Sequence, residues 1–263
     1  MELGLNEIQF KEFKLNINLN SDELIGITGK NVKDLLSFLE NPIDYKGKIF
    51  IQDTQITSSN KFLYTEKTSI ITEVPYFPSY TETVLDYLLN EMRLKNLETK
   101  DDLRKINSSL KIVGLDLSYK KRSITTLSNC EKKLIQIATK LLTNPDIIIL
   151  DEPFTYFDLN YQKKILMLLE RMQDQYKKVI IIITGNSNYI YKYIKRTIII
   201  KNGQILLDGP TKDIYQRVSY LKKNGLEIPS IVEFINRAKK EKKVRIDYHK
   251  DIRDLIKDIY KHV

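Results

Sequence analysis

The sequence predicts an α/β fold built on a mainly parallel sheet. Three observations predict it. Several short hydrophobic runs are apolar throughout, the pattern of strands buried on both faces. Helical patterns separate the later runs, as alternation of strands and helices requires. One run, Ile147-Ile-Ile-Leu-Asp-Glu-Pro153, ends in two adjacent carboxylates. Open α/β sheets place their ligand crevice at that end of a strand.

Taken in order, the expected core strands are Glu23–Thr28, Lys48–Gln52, Thr68–Thr72, Ile147–Asp151 and Val179–Thr184. From Tyr80 to Leu127 the pattern changes to helices without a strand, Thr83–Leu94 and Lys100–Val113, which reads as an inserted helical subdomain. Helices are then expected over Glu131–Leu142 and Leu159–Met172. Thr197–Lys201 and Gln204–Asp208 flank Asn202-Gly203, a strong hairpin signal. After Thr211 the chain reads as helices, one of them opened by Pro229. The expected division is residues 1–210 as the main domain, with its helical subdomain at about 76–130, and residues 211–263 as a helical extension.

The chain has 263 residues, a length that suits one large domain or one domain with an appendage. Its 42% hydrophobic and 29% charged residues fit a globular protein. No apolar run approaches the ~18 residues of a membrane-spanning helix. The opening Met-Glu-Leu-Gly-Leu-Asn has no basic segment followed by an apolar one, so no signal peptide is expected. One cysteine, Cys130, excludes an internal disulfide. The net charge of +9 would suit nucleic acid or anionic lipid. The lysines spread along the whole chain, however, and read better as solvated faces. The densest cluster is Arg237 to Arg245. No nucleic-acid partner is expected, because no recognition motif accompanies the charge.

Asp151 and Glu152 follow four aliphatics at once. A carboxylate at that point can hold Mg²⁺, and a second one residue on can polarise a water for attack on a phosphate. The plain alternative is that both sit exposed and cap the turn before Leu159. Upstream stand Leu127-Ser-Asn-Cys-Glu131, a helical stretch and Asn144-Pro145. Here the sequence resembles the ATP-binding-cassette family, whose order is an LSGGQ signature, a helix, a turn, and a strand ending in Leu-Asp-Glu-Pro. The spacing from Leu127 to Asp151 fits without a gap, and Asp158 falls at the D-loop aspartate. Arg122-Ser123, Glu82-Thr-Val-Leu85 and the tail Tyr220 to Pro229 look like the energy-coupling-factor branch. That resemblance implies ATP and Mg²⁺ as cofactors, a second ATPase subunit and a transmembrane coupling subunit as partners, and a place at the cytoplasmic face of the membrane.

The sequence also departs from that pattern. The phosphate loop of the family reads G-x-x-x-x-G-K-[ST], with backbone N–H groups cradling phosphate. This chain has Gly26-Ile-Thr-Gly-Lys-Asn-Val-Lys-Asp-Leu-Leu36. Gly29 matches the first glycine and Leu35-Leu36 the start of the next helix; about three residues are missing between. Lys33 falls near the usual lysine, and Lys30 is a second cation able to rebuild a looser cradle. Asp34 replaces the hydroxyl residue with a negative charge. Losing about four charge-assisted hydrogen bonds at roughly 1.5–3 kcal/mol each costs ~6 kcal/mol, a factor of about 10⁴ in affinity. Gly185 stands where the switch histidine belongs, and Glu73 at the Q-loop glutamine. Phe10 or Phe13 is a weak candidate for the aromatic that stacks on adenine. In the signature, Ser128 remains, Asn129 and Cys130 replace the glycines, and the helix N-terminus still faces a partner's phosphate in a family dimer. Cys130 reads as space-filling rather than as a reactive thiol.

The resulting expectation is a degenerate subunit of an energy-coupling-factor-like importer, ATPase by family but impaired at its own site. It would pair with a competent ATPase and complete that partner's site through Ser128, Asn129, Cys130 and Asp158. Two alternatives stay open: an active ATPase with a reshaped loop, and a scaffold or regulator that kept the fold.

Overall fold

The computed structural model of the chain describes residues 1–22, 24–79, 82–242 and 246–262. In chain order the elements are β1 (Glu2–Phe10), β2 (Phe13–Asn20), β3 (Ile25–Gly29), α1 (Val32–Glu40), β4 (Lys46–Ile51), β5 (Thr54–Ile56), α2 (Lys61–Lys67), β6 (Thr68–Ile71), α3 (Val84–Leu94), α4 (Asp102–Ile112) and α5 (Asn129–Thr143). There follow β7 (Ile147–Asp151), α6 (Leu159–Tyr176), β8 (Val179–Ile183), α7 (Ser187–Tyr193), β9 (Arg196–Lys201), β10 (Gln204–Pro210), α8 (Thr211–Gln216), α9 (Val218–Lys223), α10 (Ser230–Lys242) and α11 (Ile252–His262). The expected strands and helices stand where the hydrophobic pattern puts them, with ends displaced by a few residues. Glu23, Tyr80 and the 243–245 part of the basic cluster lie outside the described residues.

The chain divides into two compact units. The first comprises Met1–Leu3, Asn20–Asp22 and Phe50–Ile180; the second comprises Gly4–Leu19, Glu23–Ile49 and Ile181–Val263.

In the first unit, β7 is buried along its whole length and pairs in parallel with β6, Ile70 opposite Ile149. No side chain of that strand reaches water, which is why its sequence does not alternate. The helical part packs α3 and α4 on α5. Thr83 and Asp86 close a capping box that starts α3, so the helix opens where a Thr-x-x-Asp pattern provides partners for its free N–H groups. Val84, Leu88, Met92, Ile106 and Leu110 are fully buried there. Each such side chain contributes about 1.5–3 kcal/mol by leaving water.

In the second unit, β3 pairs in parallel with both β8 and β9, with Ile27 opposite Ile183 and Ile198. β10 returns antiparallel to β9 through Asn202 and Gly203, at φ 49° and 69°. Positive φ at both central residues is what an Asn-Gly turn supplies. β2 alternates buried and exposed residues, Phe13, Leu15, Ile17 and Leu19 facing inward. Phe10 stacks on Phe13 at 4.7 Å and on Phe38 of α1 at 4.2 Å between ring centroids. Phe10 and Phe13 are buried in this stack, so they are core residues rather than a platform for adenine. Toward the C-terminus, Ile235, Ile246 and Leu255 form a small cluster that holds α10 and α11. Among the described residues no helix is long and apolar enough to cross a membrane.

Candidate functional site

In the first unit the carboxylate pair ends β7. Asp151 is buried and Glu152 half-buried. The Glu73 N–H donates to the Asp151 carboxylate at 3.3 Å, so the structure brings these two predicted residues together. Beneath them lies a residue the sequence reading missed. Lys133 of α5 is fully buried, and its ammonium donates to the carbonyls of Thr72, of Glu73 at 3.3 Å and of Asp151 at 3.1 Å. An ammonium has three donors, and here three carbonyls accept. Burial pushes Lys133 down to about 8, while the Asp151, Glu73 and Glu152 carboxylates hold it up. Donation to three carbonyls at once is the pattern of the ammonium form. A lysine inside the buried run Lys133-Leu-Ile-Gln-Ile-Ala-Thr139 is the sequence signal that could have found it. Glu152 itself takes φ 41°, a left-handed conformation costly for a residue with a Cβ. Such strain gathers at functional sites.

The signature segment opens α5. Ser128 is the N-cap: its hydroxyl accepts from the Glu131 N–H, and Glu131 accepts from the Ser128 N–H at 2.7 Å. Glu131 also accepts from the Tyr119 hydroxyl at 2.6 Å and pairs with Arg122 at 2.7 Å. Burial pushes Glu131 up, but the hydrogen bonds from Tyr119, Ser128 and Arg122 outweigh it and hold the carboxyl at about 2. Ser-x-x-Glu is a capping box readable in sequence; Tyr119 and Arg122 are not. Asn129 is exposed in the first turn. The Cys130 thiol is raised by burial, then by Glu131 and Asp158, which agrees with a space-filling role. Asp158 caps α6, accepting from the Asn160 and Tyr161 N–H groups at 2.8 and 2.9 Å.

In the second unit, the connection between β3 and α1 is only Lys30 and Asn31. The helix begins at Val32, earlier than the Leu35 expected, because the shortened chain turns directly from strand to helix. Gly29 sits at φ 131°, and a Cβ there would lie 1.9 Å from the Ile200 carbonyl oxygen, so only glycine fits. The Lys30 N–H donates to that same carbonyl at 3.1 Å and so takes part in the sheet. Asn31 stands at φ 62° and donates its side-chain amide to Glu12 at 2.5 Å. Asp34, in the first turn of α1, pairs with Lys11. Lys30 and Lys33 are exposed. A two-residue connection cannot wrap a phosphate with successive backbone N–H groups, and Glu12 and Asp34 bring negative charge to the same helix end. The residues present do not fit the family's phosphate cradle. Gly185 is exposed just after β8, and the next residue, Asn186, caps α7.

These parts define a class: a mixed α/β ATPase-type fold carrying a strand-end acid pair and a signature helix. The comparisons agree. The family described as ABC transporter matches residues 13–155, more than half of the chain. The chain therefore belongs to the ABC transporter family. It is 25% identical over 232 residues to the energy-coupling factor transporter ATP-binding protein EcfA2 of Caldanaerobacter subterraneus, covering 86% of this chain and 81% of that one. It is 26% identical over 235 residues to the protein of that name from Clostridium tetani, covering 87% and 81%. Among solved structures, cbiO1 from Clostridium perfringens, described as part of the ABC transporter complex cbiONQ, superposes with a TM-score of 0.71 at 22% identity, covering 89% of this chain and 98% of that one. The ATP-binding cassette MJ0796, in a dimeric post-hydrolysis state with ADP and Pi, gives 0.70 at 18% identity, covering 80% and 99%.

Proposed function

We propose that this chain is a degenerate ATP-binding subunit of an energy-coupling-factor-like importer, paired with a competent ATPase. Residues 1–210 serve as the nucleotide-binding domain, with 211–263 as its helical extension. The names of its relatives support the class of transporter. The observation that carries the degeneracy is the two-residue connection Lys30–Asn31, closed by Lys11–Asp34 and Asn31–Glu12. Val74 and Tyr76, 64% and 74% exposed after β6, offer an apolar face to the coupling subunit at the cytoplasmic side of the membrane.

The role of each residue follows from its chemistry. ATP and Mg²⁺ supply the reacting phosphate at the partner's loop. Ser128, Asn129 and Cys130 present the α5 N-terminus toward it, whose N–H groups and dipole favour anions. Engagement requires the Glu131 carboxylate to release Ser128, which makes Glu131 a gate on that contact. Asp158 orients the α6 N-terminus. Titration of Mg-ATP into the isolated chain tests the reading. Affinity weaker than about 1 mM is expected, given a loss of ~10⁴ from a micromolar site; micromolar binding overturns it.

A second reading, an active ATPase with a reshaped loop, is favoured by the retained Asp151 and Glu152. It requires ATP hydrolysis by the isolated chain that Glu152→Gln abolishes.

A further inference from the structure

The carboxylates at the end of β7 are expected, by family, to work with a divalent cation. The structure already places a cation there. Lys133 reaches them from α5 with no exposure to water, and its ammonium is saturated by the Thr72, Glu73 and Asp151 carbonyls. The first two carbonyls belong to the segment after β6 and the third to the last residue of β7. The Glu73 N–H closes the arrangement by donating to the Asp151 carboxylate. The charges of Asp151, Glu73 and Glu152 all act on Lys133. The ammonium answers one of the three carboxylate charges from a fixed position inside the protein. A divalent ion entering the group meets a fixed positive charge that cannot move into solvent.

We propose that Lys133 is a resident counter-ion that takes the electrostatic place of a divalent metal, so that the Asp151, Glu152 and Glu73 group keeps its arrangement without Mg²⁺ and does not bind it. The residues present therefore do not fit the metal the family implies. The inference goes beyond the reading of the phosphate loop and is tested without nucleotide, so either can fail alone.

The experiment is a titration of the full chain with Mn²⁺, free Mn²⁺ being followed by electron paramagnetic resonance. The wild-type chain is expected to show no Asp151-dependent site tighter than about 1 mM, the weak end of protein sites for hard cations. Lys133→Gln is expected to bind Mn²⁺ roughly tenfold more tightly, a gain lost again in Lys133→Gln/Asp151→Asn. Lys133→Arg, which keeps the charge, is expected to behave as wild type. A wild-type site tighter than about 1 mM that Asp151→Asn removes would overturn the proposal. So would a folded Lys133→Gln protein with no gain. Should Lys133→Gln fail to fold, the wild-type and Asp151→Asn titrations decide the matter by themselves.

Discussion

The N-termini of α5 and α1 make an instructive pair. By family both face phosphate, and both now carry a carboxylate of the chain's own in the first turn, Glu131 and Asp34. A negative side chain there satisfies the positive end of the helix dipole. The resemblance ends at that point. Glu131 is locked by Ser128, Tyr119 and Arg122. Asp34 has an exposed partner in Lys11, with side chains 42% and 65% accessible. The α5 end is self-contained, with every partner supplied by its own cap and the preceding turn. The α1 end has no side-chain cap and leans on the β1–β2 turn. A helix start that closes on itself holds its shape without a ligand. One without a side-chain cap takes its partners from whatever lies beside it.

Four experiments break or sharpen this contrast. The largest effect is expected from restoring the α1 end. Replacing Lys30 to Asp34 with a full G-x-x-x-x-G-K-[ST] loop should raise Mg-ATP affinity by about 10⁴, read by calorimetry. No gain would place the defect outside the loop. Next, Gly29→Ala puts a Cβ against the Ile200 carbonyl and should cost about 3 kcal/mol in a urea unfolding curve. An unchanged midpoint would show that the strand end can relax.

Third, Ser128→Ala should cost about 1 kcal/mol as a lost cap. Glu131 adds a pH signature. Its carboxyl falls from 4.5 to about 2 on folding, so its contribution is complete above pH 4.5 and disappears as pH falls toward 2. Glu131→Gln should flatten that acid limb of stability, and an unaltered limb would assign the acid sensitivity elsewhere. If Glu131 gates the signature, the same variant should raise the ATPase rate of the assembled pair. Smallest, Lys11→Ala should change stability by less than about 0.5 kcal/mol, as exposed ion pairs do. A larger loss would mean that the α1 end is better fastened than its exposure implies.

How much of this was legible depends on where the partners lie. β7 and its acid pair could be read because the strand and its carboxylates are contiguous. The short connection between β3 and α1 could be read because a missing residue is visible against a motif of fixed spacing. β2 does not show as a wholly apolar run, since Phe13, Leu15, Ile17 and Leu19 alternate with Lys14, Asn16 and Asn18. In β1, Glu7 at φ 51° interrupts the alternation. Lys133 was hidden for a different reason. Its partners are backbone carbonyls 61, 60 and 18 residues away, and a carbonyl has no letter in the sequence. Phe10 and Phe13 were the opposite case, aromatic letters whose rings turn out to be spent on each other and on Phe38.

The Asn202-Gly203 turn has a reach beyond its own hairpin. A side chain at 203 would sit 2.1 Å from the carbonyl oxygen of Glu12, the residue whose carboxylate receives Asn31. Enlarging Gly203 therefore pushes on a turn that holds the start of α1. Residue 203 is a lever: bulk added at the tip of the β9–β10 hairpin is transmitted, through one close backbone contact, to the short connection between β3 and α1.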